Sequence, residues 1–126
     1  MAFQVFNPSR AGVTNSNSGA EIRNNDPNGE SKYAVCWAAS PPMSSTATPV
    51  NNDWLISPAI TLGTANTLSF WVKSLSSFYG LEKYKVAIFI GAGIPDVHEA
   101  LTYIAGNPLN LTASYGTWQE KVFPIR

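Results

Sequence analysis

Cysteine is nearly absent from this chain of 126 residues. There is one, Cys36, so no disulfide can form within the chain and the fold must rest on its core. Cys36 sits in the apolar run Tyr33-Ala34-Val35-Cys36-Trp37 and reads as a small buried apolar side chain. A reactive thiol needs a neighbouring base or cation, and the sequence places none beside it. Histidine is equally scarce. The single His98 lies in the polar stretch Asp96-Val97-His98-Glu99 and reads as an exposed loop residue. One His and one Cys far apart do not supply the ligands of a zinc site. No Gly-x-Ser-x-Gly elbow accompanies them, so a nucleophile–base pair has no obvious frame.

Charge is also sparse. Only 13% of residues are charged, about half the usual share, and eight basic residues cancel eight acidic ones. The basic residues are scattered, so the chain has no positive field to draw a phosphate backbone, and nucleic acid is excluded as a partner class. No apolar run approaches the length of a membrane-spanning helix. The start, Met1-Ala2-Phe3-Gln4, lacks the basic and apolar regions of a secretory signal. Gly91-Ala92-Gly93 is not followed by Gly-Lys-Ser/Thr and is no phosphate loop. The sequon Asn110-Leu111-Thr112 carries no weight alone.

What the chain does have is short apolar runs divided by nine glycines, nine prolines and clusters of Asn and Ser. That pattern predicts one all-β domain over 1–126, an antiparallel sandwich, with 1–30 the least defined part. The expected strands are 2–6, 20–23, 32–38, 54–56 (followed by 59–62), 67–74, 84–90 and 118–125. In 67–74, Leu68, Phe70 and Val72 alternate with Ser69, Trp71 and Lys73, so the first set faces the core and Trp71 lies beside Lys73 on the other face. In 84–90, Tyr84, Val86, Ile88 and Ile90 share a face, with Ala87 and Phe89 opposite. Pro124 cannot donate to a ladder and predicts an edge position. Residues 40–52 read as a long loop, 95–102 as one helical turn or loop, 103–105 as ambiguous, and 109–116 as loop or strand edge.

The segment Asn52-Asp53-Trp54-Leu55-Ile56-Ser57-Pro58-Ala59-Ile60 resembles a stretch of the cleaved-adhesin or choice-of-anchor J family of bacterial surface proteins. Thr67-Leu68-Ser69-Phe70-Trp71-Val72 and Tyr79-Gly80-Leu81-Glu82-Lys83-Tyr84-Lys85-Val86 are similar to two further family segments, and Trp118 stands where the family has a Trp before a strand. The resemblance spans roughly 33–123. It implies a galactose-binding-like jelly roll, related to MAM modules, serving adhesion or glycan contact at a cell surface. The family's opening Phe-Glu strand, its Gly-Trp segment and its closing Asp-Asp motif have no counterpart, so its calcium site is not carried over. A sandwich short of a closing strand exposes unpaired backbone groups, and a neighbouring chain or a longer parent polypeptide is expected to cover them.

The candidate sites follow. Trp71, Lys73 and Phe89 are the expected ligand-binding residues, as a solvent-side platform for a protein or the flat face of a sugar. Glu82 falls on the core parity of its strand, where a buried carboxylate needs a partner or a metal. Asp26, Asn28 and Glu30 alternate in an oxygen-rich turn, and calcium is the only cofactor such a set suggests. No spacing among the eight acids marks a glycosidase pair. The expected function is therefore a non-catalytic adhesion or interaction module, extracellular or at the cell surface, binding a protein, a larger assembly or a glycan. The second reading is a structural or decoration protein of a virion or other particle, a homo-oligomer built through an open sheet edge.

Overall fold

The computed structural model describes residues 3–16, 22–37, 53–64, 66–78, 81–91 and 111–125, together with the backbone of 102–105. Its described part is all-β, without helix: β1 (Gln4–Phe6), β2 (Tyr33–Val35), β3 (Asn66–Val72), β4 (Lys83–Tyr84), β5 (Val86–Ile88), β6 (Thr102–Ala105), β7 (Leu111–Thr112) and β8 (Gln119–Ile125). They pair antiparallel as β1–β2, β3–β8, β4–β7 and β5–β6.

The longest ladder is β3–β8, with Asn66 opposite Ile125 and Val72 opposite Gln119. The alternation in the sequence sets its faces, because successive side chains of a strand point to opposite sides. Leu68, Phe70 and Val72 are half-buried, while Thr67, Ser69 and Trp71 are exposed. Phe70 meets Phe123 (ring centroids 5.9 Å apart) and, edge-on, Tyr84 (6.1 Å). These contacts seat β4 against the inner face of the ladder. Lys121 also falls on the inner side, opposite Phe70, and its ammonium donates to Gln119 Oε1. Pro124 lies opposite Thr67 on the exposed side.

The run expected as one strand over 84–90 is divided. Lys83 and Tyr84 pair with β7, whereas Val86 to Ile88 pair with β6. The β5–β6 register jumps from Val86–Ala105 to Ala87–Tyr103, so Ile104 is the extra residue of a bulge. Tyr84, Val86 and Ile88 are half-buried as expected. Ala87 and Ile90 are exposed, so Ile90 leaves the face shared by the other three.

Ser74 joins three segments. It is 1% exposed. Its hydroxyl donates to the Ala113 carbonyl (3.1 Å) and accepts from the Glu82 amide (3.0 Å), and its own amide donates to Ser114 (2.7 Å). Pro8, Val35 and Ala113 are the buried apolar residues in the described part, and Asn25 and Ser74 the buried polar ones.

Two expected elements differ. Residues 53–62 form no strand. A β-branched apolar run becomes a strand only where a second backbone meets its N–H and C=O groups, and no described strand does so. Near 20–23, Arg23 makes single bridges to Ser16 and Ser76 rather than a strand. The 40–52 loop, most of the 95–102 segment and His98 lie outside the described residues.

Candidate functional site

The outward face of β3–β8 carries two exposed large apolar side chains. Trp71 is 49% exposed and Val122 56%. Trp71 stands opposite Glu120, and Val122 opposite Ser69. Trp71 and Val122 are thus diagonal neighbours on one face, roughly 7–8 Å apart at the backbone and within reach of an indole. Thr67, Ser69, Glu120 and Pro124 complete the face. This is an aromatic and an aliphatic side chain framed by hydroxyls and a carboxylate. It suits a flat, partly apolar surface that also carries hydrogen-bonding groups.

Lys73 is held elsewhere. Its ammonium donates to Asn24 Oδ1 (2.7 Å) and to the Asp26 carbonyl (2.6 Å). It lies 5.0 Å from the centre of the Trp118 ring, a cation–π distance. Trp118 Nε1 donates to the same Asp26 carbonyl (2.8 Å). Asn24 Nδ2 donates to Gly116 O (3.2 Å), and the Asn24 amide to Leu75 O (2.9 Å). Gly116 has φ +82°, a left-handed conformation that a side chain would strain. Burial lowers the Lys73 pKa, against an opposing pull from the Asp26 carboxylate. Trp118 then leads into a file of edge-on rings: Tyr33 at 5.7 Å, Phe6 at 5.7 Å from Tyr33, and Trp37 at 5.1 Å from Phe6. The arrangement fastens the 22–37 segment and β1 to the β3–β8 ladder.

Phe89 is half-buried, with its ring over Gly91. It lies just past the end of β5, a strand that pairs with β6 and not with β3. Of the three expected platform residues, Trp71 is open to solvent, Lys73 is bound to the 24–26 segment and Phe89 follows the end of β5, outside the β3–β8 ladder.

Glu82 is exposed, a correction to its expected burial. Strand pairing begins one residue later, and Glu82 is fixed by its backbone: its amide meets Ser74, and its carbonyl accepts from Ala113 N (2.9 Å). Asp26, Asn28 and Glu30 are exposed as well. The oxygens drawn together there, Asn24 Oδ1 and Asp26 O, already surround the Lys73 ammonium. Among the described residues no three His, Cys, Asp or Glu side chains converge. An open cleft of about 370 Å³ lies beside them, between Pro8, Val13, Asn15, Asn25 and Pro27. Asn25 is buried there, its amide bound to Asn15 Oδ1 (2.6 Å) and its side chain to Thr14 O (3.2 Å). The chain's own groups thus satisfy the polar floor of the cleft.

Cys36 is not a purely apolar core group. It is half-buried and its thiol donates to Asp53 Oδ2 at 2.8 Å. Burial first, and the Asp53 carboxylate second, push its pKa up to about 11. The same bond holds the Asp53 carboxyl below its ordinary range. Both shifts keep the proton on sulfur, the opposite of what a nucleophilic thiol requires.

Comparison of the chain with protein-family models, with curated proteins and with solved structures finds no match. Among the described residues no helix is long and apolar enough to cross a membrane.

Proposed function

We propose that this chain is a non-catalytic interaction module of a surface-exposed assembly, built on a jelly-roll type of β-sandwich, and that it meets a protein or glycan through the outward face of β3–β8. The observation carrying this reading is the exposed pair Trp71 and Val122 on a regular ladder. A rigid indole supplies a large contact area at small entropic cost, which is why binding surfaces favour it. We assign the contact to Trp71. Lys73 and Phe89 we assign to holding the fold.

The test is binding to a glycan array and to the assembly isolated with the tagged chain, for the native protein and for Trp71→Ala. Truncating a central Trp costs about 2 kcal/mol or more, roughly thirtyfold in affinity. Loss of binding with an unchanged circular dichroism spectrum is the expected result. Full binding by Trp71→Ala would remove this surface from consideration, and turnover of a glycoside abolished by Glu82→Gln would overturn the non-catalytic reading. The second reading, a structural subunit joined through an open edge, is favoured by the bare apolar segment 55–62.

A further inference from the structure

Between β2 and β3 the chain passes from Asp53 to Thr64, and no turn or bend interrupts 53–63. Among the described residues, no backbone hydrogen bond ties 55–62 to a strand. Yet Leu55 is 66% and Ile60 71% exposed, with Ile56 and Leu62 exposed too. After Asp53 the segment contains no charged residue, although natural edges are commonly guarded by charge. In an extended chain Ile56, Pro58, Ile60 and Leu62 share one side, and Leu55, Ser57, Ala59 and Thr61 the other. This is a strand in pattern and exposure that has no partner strand among the described residues.

We propose that the partner is the same segment of a second copy, paired antiparallel about a two-fold axis at Ala59. In that register Ala59 opposes Ala59, Pro58 opposes Ile60, Ser57 opposes Thr61, and Ile56 opposes Leu62. Residues directly opposite in a ladder point to the same face, so Ile56, Pro58, Ile60 and Leu62 of each copy meet on one side, and Leu55 lies on the other. An axis midway between Pro58 and Ala59 would set Ile56 against Thr61 and Ser57 against Ile60, mixing the faces. An axis at Pro58 would require Trp54, which is half-buried in its own chain, as the partner of the exposed Leu62.

The proline fits this register. Antiparallel ladders alternate hydrogen-bonded and non-hydrogen-bonded pairs. With Ala59–Ala59 hydrogen-bonded, Pro58–Ile60 and Ile56–Leu62 become non-hydrogen-bonded pairs. Pro58 is then asked for no N–H, and the apolar side chains sit where strands lie closest. Two copies also meet without long-range repulsion, because the formal charge of the chain is zero. A ladder of seven residues is about 24 Å long. Alone it buries less than the standard interface, so the dimer forms with a Kd on the order of 10 to 100 μM. The inference does not rest on the Trp71 surface.

The test uses the full chain in sedimentation velocity from about 1 to 300 μM, a range that brackets weak association. The native chain and Trp71→Ala should shift from monomer to dimer, while Ile60→Asp should remain monomeric at every concentration with an unchanged circular dichroism spectrum. In a Cys36→Ala background, Ala59→Cys should oxidise to a covalent dimer, because a hydrogen-bonded pair separates its Cα atoms by about 5.5 Å, within disulfide range. Ser57→Cys in that background should not, because it faces Thr61. A native chain monomeric throughout, a dimer that survives Ile60→Asp, or a dimer without cross-linking at position 59 would each overturn the proposal. Loss of ligand binding in Trp71→Ala leaves it untouched.

Discussion

At the scale of single residues, the polar groups carry the specificity of this structure. The Cys36–Asp53 bond is one case. The folded pKa of the thiol, about 11, lies above its ordinary value of 9.0. The folded state therefore holds the proton more tightly than the unfolded chain. The stabilisation from this group is complete below pH 9.0 and disappears as pH rises through about 11. At pH 8 only about 0.1% of the folded thiol is ionised, so iodoacetamide should label it about a hundredfold more slowly than a thiol of ordinary pKa. Denatured protein should label at the ordinary rate. Equal rates in the two states would contradict the bond. Tyr33 and Tyr84 present the opposite case. Their hydroxyls are buried without a hydrogen-bond partner, and burial raises both pKa values, with the Asp26 carboxylate adding to the rise at Tyr33. An unpaired buried hydroxyl costs free energy that the aromatic ring contact must offset.

Among the elements, period-two patterns were legible and partnership was not. Leu68, Phe70 and Val72 could be placed inward, and Trp71 outward, because alternation depends only on neighbours along the chain. The start of β8 after Trp118 and the turn around Asn28 and Gly29 were legible for the same local reason. The segment 54–62 carries an equally strong strand signal, but pairing is a property of two backbones and only one is written there. Glu82 failed by a single residue, since the onset of β4 decides its parity. The hydroxyl of Ser74 was invisible in sequence because its partners lie 8 and 39 residues away. It is the joint on which β3, the start of β4 and the end of β7 meet. Ser74→Ala should leave the Glu82 amide and the Ala113 carbonyl unsatisfied in a dry site, lowering stability by about 1–3 kcal/mol in urea titration. Because the methyl side chain fits the same space, a loss below about 0.5 kcal/mol would show that water replaces the hydroxyl.

Across the whole molecule, distance along the chain separates what could be read from what could not. The first thirty residues looked least defined because they lack long apolar alternation. They are fastened by Asn24 and Asp26 to Lys73 and Trp118, across separations of 47 to 92 residues. An Asn-Asn-Asp turn is ordinary, and nothing local marks it as the receiver of a lysine. The expected binding role of Lys73 came from its parity with Trp71, and the end of β3 at Val72 breaks that parity.

The Lys73 ammonium, set between two oxygens and an indole face, is in chemical effect a bound monovalent cation whose tether is the polypeptide itself. Cutting the tether with Lys73→Ala should cost about 1.5–3 kcal/mol, the worth of hydrogen bonds from a charged donor, and should leave a receptor for a free guest. Methylammonium, small enough for the vacated space and suited to an aromatic face, should then raise the melting temperature of Lys73→Ala while leaving the native protein unmoved. Sodium at equal ionic strength should raise neither melting temperature, and equal shifts of the variant from both salts would mean that the pocket closes once its occupant is removed.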